Sequence, residues 1–112
     1  MDYKVSSAEK STMGNMITQT QHCLNQKGLT TREKKEANFD EMLKCETAYF
    51  SEGTAYTYHT HPNGNPYPSQ QDKDTTNRFK KKFMFIGLVP TRTVVVYSAA
   101  DNFTKMIGKF KV

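Results

Sequence analysis

Two histidines one residue apart, His59 and His61, precede a turn-forming stretch that ends in Ser69 and Asp72; the whole reads HTHPNGNPYPSQQD. In a strand, side chains two apart project from one face, so His59 and His61 would aim their ring nitrogens at one point. Two neutral imidazoles so placed form half of a metal site. The Pro, Gly and Asn residues that follow reverse the chain, and a helix opening at Ser69 puts Asp72 in its first turn, able to reach back as a third ligand. Three N and O ligands with one position left open are the pattern of a catalytic zinc site. Such a metal lowers the pKa of a bound water and polarises a carbonyl. Each residue alone has a plainer explanation: surface histidines, an N-cap serine, a first-turn acid that suits the helix dipole. In this order and spacing, those separate explanations become improbable together. Ser69 is read as cap and catalytic group at once.

The elements that would position these residues are legible nearby. TAYTYHTH (54–61) alternates small and aromatic residues and reads as a strand. SQQDKDTTNRFKKK carries a cap signal at Ser69, and the lysines at 80–82 are expected in the helix's last turn. FMFIGLV (83–89) and TVVVYS (93–98) are apolar and β-branched runs around a short connection, which predicts a buried hairpin. The tail NFTKMIGKFKV suits another strand or a docking turn. Upstream, three- and four-residue steps among Phe39, Met42, Leu43, Glu46, Tyr49 and Phe50 predict an amphipathic helix over 31–50. In GNMITQTQHCLNQKG two patterns compete. Met13, Met16, Ile17, Thr20 and Leu24 fit one helical face, while the Thr content and Gly14 favour a strand or hairpin.

The 112 residues suit one domain with one modest core. Seven Phe and six Tyr compensate for a hydrophobic fraction of 36%, so a folded domain is expected rather than disorder. No apolar run approaches the ~20 residues of a membrane span, and MDYKVSSAEK lacks a signal-peptide segment, so a cytoplasmic protein is expected. Cys23 and Cys45 belong to no metal-binding or redox spacing; buried free thiols are the plainer expectation, with a disulfide between them left open. His22 stands alone in a polar stretch and is assigned a structural or surface role. The net charge of +5 allows steering toward an acidic partner or nucleic acid, but no aromatic residues interleave the lysines at 80–82, so base stacking there is disfavoured.

His59-Thr60-His61, seven residues, Ser69, two residues and Asp72 resemble, without a gap, the JAMM signature of the JAB/MPN metalloprotease family. The resemblance implies a single α/β domain over residues 1–112, a mixed sheet flanked by helices. It implies a zinc ion held by His59, His61 and Asp72, and a Ser69 that steadies the tetrahedral intermediate. It further implies an upstream glutamate as general acid and base, and a protein substrate such as a ubiquitin-like conjugate joined through an isopeptide bond. The wording HTHPNGNPYPS is also similar to the RadC-type branch, which keeps a nucleic-acid-associated role open, and a catalytically inactive MPN scaffold is a third reading. For the glutamate, Glu9 is the first expectation. It stands ahead of Met13-Gly14-Asn15-Met16-Ile17-Thr18, which resembles the family's glutamate, short gap and glycine leading into a strand. Two alternatives stay open: Glu9 closes a capping box with Ser6 if residues 7–27 are helical, or Glu41 is the base if 31–50 is a strand.

Overall fold

In the computed structural model, residues 4–29, 38–50 and 53–112 are described. The first element, helix α1 (Ser7–Gln26), occupies the region expected to be a strand or hairpin. Ser6 Oγ accepts from Glu9 N at 3.1 Å and starts the helix. The helical periodicity prevails over the Thr content because Met13, Met16, Ile17, Thr20 and Leu24 all bury on one face. Thr12, Thr18 and Thr20 turn their hydroxyls back onto the carbonyls of Ala8, Gly14 and Met16, so the threonines are accommodated inside the helix.

Helix α2 (Phe39–Cys45) and strand β1 (Ala48–Phe50) share the segment expected to be one helix over 31–50; residues 31–37 of that expectation lie outside the described residues. Helix formers stop at Cys45, and Thr47-Ala48-Tyr49-Phe50 carries the β-prone residues that pair antiparallel with strand β2 (Tyr56–His61). Helix α3 (Gln70–Arg78) crosses from β2 to strand β3 (Phe83–Leu88), which pairs with β2 in parallel, and such pairing requires a crossover of this kind. The helix ends earlier than expected. Phe79 is its C-cap and Lys80 takes a positive φ of 55°, so the lysines at 80–82 lead out of the helix.

Strand β4 (Thr93–Ser98) completes the hairpin with β3, and the tail forms an edge strand, β5 (Met106–Lys111). The described strands make one mixed sheet in the order β1-β2-β3-β4-β5. Its two faces have different neighbours. Tyr56, Tyr58, Phe83, Phe85, Val94 and Val96 pack against Met13, Met16 and Ile17 of α1, and Tyr58 donates its hydroxyl to Met13 O at 2.9 Å. Gly87 belongs to this face, where an added Cβ would press on Tyr58 Oη and on Ile17. The other face carries Thr57, His59 and His61, with Met84, Ile86, Leu88, Val95 and Tyr97 beside them. Helix α3 lies over its histidine end. The fold is thus a small α/β domain with helices on both sides of a mixed sheet. No helix among the described residues is long and apolar enough to cross a membrane.

Candidate metal centre

The alternation of β2 puts Tyr58 and Thr60 toward α1 and leaves His59 and His61 on the α3 side. Asn63 Oδ1 and Asn65 Oδ1 then accept from the backbone N–H groups two residues on, each at 3.0 Å, and Gly64 takes a φ of 78° that suits glycine. Tyr97 donates to Pro66 O at 2.7 Å and pins this turn to the sheet. The chain re-enters the fold at Ser69, whose Oγ accepts from Asp72 N at 3.0 Å while Asp72 Oδ2 accepts from Ser69 N at 2.9 Å. This capping box fixes the Asp72 carboxylate at the first turn of α3.

His59 Nε2, His61 Nε2 and Asp72 Oδ2 form an equilateral triangle with every side 3.1 Å. Tetrahedral coordination with metal–ligand bonds of ~2.0 Å sets ligand atoms ~3.3 Å apart, so the three atoms have the spacing of one tetrahedral face. The protonation pattern agrees. His61 Nδ1 donates to Asn65 O at 2.7 Å, which in the neutral ring leaves the lone pair on Nε2, facing the other two atoms. Burial alone would raise the Asp72 pKa, yet when the Nε2 atoms of His59 and His61 carry protons, their hydrogen bonds and charge, together with the Ser69 N–H, hold its carboxyl well below the usual carboxylate range. Burial alone would lower the His61 pKa, but Asp72 and the Asn65 carbonyl raise it above that of a free imidazole. The donor set of two nitrogens and one oxygen therefore fits zinc.

A second carboxylate meets the histidines, and it is neither of those expected. Ligand atoms of Glu46, His59 and His61 lie within 4.8 Å of one another, with Glu46 just past the end of α2. Glu46 opens to solvent at the mouth of the cleft, yet partial burial raises its pKa above the usual value, with His59 and His61 pulling it down and Asp72 pushing it up.

Glu9 is corrected by the same geometry. It lies in the first turn of α1, where its N–H meets Ser6, and α1 packs on the sheet face opposite the histidines. Glu41 is at the surface, paired with Lys27 at 2.9 Å and Lys44 at 3.2 Å. His22 is exposed on α1. Glu46 escapes a reading of periodicity because it matches the helical spacing of Phe39, Met42 and Leu43. The signal that marks it is the change to β-prone residues at Thr47.

The expected free thiols are also corrected: Cys23 and Cys45 form a disulfide. With residues 14–24 helical and α2 packed beside α1, the two Cα atoms come within 5.8 Å, inside the range a disulfide spans. Around the centre, a cleft of about 690 Å³ is lined by Glu46, Thr57, His59, His61, Ser69 and Asp72. Exposed Phe39, Leu43 and Tyr67 border it. A family model, the RadC-like JAB domain, matches residues 46–104, from Glu46 through β4 and just beyond. No curated protein and no solved structure gives a match.

Proposed function

The chain belongs to the RadC-like JAB domain family, and on that premise we propose that it is a zinc-dependent metallopeptidase acting on an isopeptide-linked protein substrate. The observation that carries the reading is the 3.1 Å triangle of His59, His61 and Asp72 with Glu46 beside it. His59, His61 and Asp72 would hold the zinc ion, which when bound supplies Lewis acidity to a water and to the scissile carbonyl. Glu46 takes the proton from the attacking water and returns it to the leaving lysine amine. Ser69 Oγ accepts from Asp72 N, so its own O–H is left to donate to the developing oxyanion. Asn65 O holds His61 in the tautomer that ligation requires. The apolar border of Phe39, Leu43 and Tyr67 supports a protein substrate, since exposed apolar clusters beside a cleft favour protein contacts.

The test is the zinc content of the purified protein together with cleavage of an isopeptide-linked ubiquitin dimer. Stoichiometric zinc and cleavage that is lost in Glu46→Gln are expected. Zinc without cleavage of that probe, combined with salt-dependent binding to DNA, would overturn the peptidase reading in favour of a nucleic-acid-associated role.

A further inference from the structure

Glu46 is the C-cap of the seven-residue helix α2, its N–H donating to Leu43 O at 3.2 Å, and it precedes the three-residue strand β1. Its two sequence neighbours are both anchored to α1. Cys45 is bonded to Cys23, and both sulfurs sit beside a buried cluster of Leu24, Leu29 and Val89. Thr47 Oγ1 meets Thr20 Oγ1 at 2.9 Å, and Thr47 N donates to Thr60 Oγ1 at 3.0 Å. Thr60 lies between the two site histidines and points to the α1 side, so the threonine contacts link this segment to β2 itself. The hydroxyl cluster locates Thr47 against the sheet. On the α2 side the segment is held by the Glu46 N–H bond to Leu43 O, by buried Met42 and by the covalent tie at Cys45.

We infer that the Cys23–Cys45 disulfide is a positioning device for Glu46, holding its carboxylate within reach of the water that His59, His61 and Asp72 would activate. The inference rests on the reading of Glu46 as the base. The bond couples α1, on one face of the sheet, to a carboxylate that must serve the other face, and neither cysteine touches the reacting atoms. Without the bond, the end of α2 keeps its apolar contacts but loses its covalent stop. Misplacement of a catalytic group by about 1 Å can cost ~100-fold in turnover, so a modest shift of Glu46 is enough to matter.

The experiment compares four proteins: the wild type, Cys23→Ala/Cys45→Ala, Glu46→Gln and the triple variant. Cleavage of an isopeptide-linked ubiquitin dimer is measured under non-reducing conditions. In parallel, NOEs between the Glu46 Hγ protons and the ring protons of His59 and His61 are recorded on the metal-free wild type and pair variant. Loss of the disulfide is expected to lower kcat by ~100-fold with KM and zinc content unchanged. It is expected to have no further effect in the Glu46→Gln background and to abolish the NOEs. Retained NOEs with unchanged kcat in the pair variant would overturn the inference, as would free thiols in the non-reduced wild type. Activity retained by Glu46→Gln would instead remove the reading of Glu46 as base, and the NOEs would still decide whether the bond positions it. If the pair variant does not fold, the same NOEs are measured on wild type reduced with a phosphine. Unfolding of that protein too would overturn the inference, because the bond would then hold the whole fold rather than one side chain.

Discussion

Ser69 and Asp72 hold each other across the first turn of α3. Asp72 Oδ2 accepts from Ser69 N at 2.9 Å, and that same oxygen faces the Nε2 atoms of His59 and His61 at 3.1 Å. The start of a helix and the third corner of the candidate metal centre are thus one atom. The Ser69 N–H bond to Asp72 therefore serves helix capping and ligand placement together.

Removing one corner should remove the metal. His59→Ala, His61→Ala and Asp72→Ala are each expected to purify with little zinc by elemental analysis, because two ligands in an open site bind far more weakly than three. Full occupancy in His61→Ala would sink the assignment of the centre.

The two glutamates should separate cleanly. Glu46→Gln is expected to keep stoichiometric zinc and lose hydrolysis of an isopeptide-linked ubiquitin dimer, since a base that works on water need not be a ligand. Glu9→Gln, on the far side of the sheet, should leave turnover within about twofold of wild type. Loss of activity in Glu9→Gln alone would contradict the placement of α1.

Ser69→Ala should do two things at once. Loss of the cap is expected to cost about 1 kcal/mol in denaturant unfolding, and loss of an oxyanion donor should slow turnover ~100-fold with zinc retained. Ser69→Thr keeps the hydroxyl and should restore both. Unchanged turnover in Ser69→Ala would leave the residue as a cap only.

Zinc affinity should depend on pH through His61. Asp72 holds the His61 pKa above that of a free imidazole, so protons begin to compete with zinc at a higher pH than for an isolated histidine. Asp72, held well below the usual range, stays ionised throughout and adds nothing to this dependence. The sign reverses for the metal-free protein. A raised folded-state pKa contributes stability that is present below the unfolded imidazole pKa and is lost as pH rises through the folded one. Chelator competition between about pH 5 and 8 measures the first effect, and thermal unfolding of the metal-free protein the second. An affinity that stays flat over that range would refute the His61 assignment.

Gly87→Ala tests the opposite face. An added methyl must displace Tyr58 or Ile17 where α1 meets the sheet, and such overpacking typically costs about 1–3 kcal/mol. Zinc content should not change. A neutral effect in denaturant unfolding would mean that α1 sits less closely on β3 than described.

Much of the site was readable in the amino-acid order because its signals are local. The spacing of His59 and His61 needs only a strand, and the step from Ser69 to Asp72 needs only one helical turn. The turn between them is written in Pro, Gly and Asn. The hairpin of β3 and β4 was equally plain from its β-branched runs. Three things required the tertiary structure. The Thr-rich segment 14–24 is helical because one face of it buries against Tyr58, Phe85 and Val96, a contact that no window of sequence contains. Cys23 and Cys45 are bonded because that helix and α2 pack side by side. Glu46 meets the histidines because β1 pairs with β2 and sets Ala48 opposite His59, two residues beyond the glutamate. A ligand pair two residues apart is determined by backbone geometry, whereas a carboxylate thirteen residues upstream of His59 reaches the centre only through strand pairing, and that pairing is decided by the whole fold.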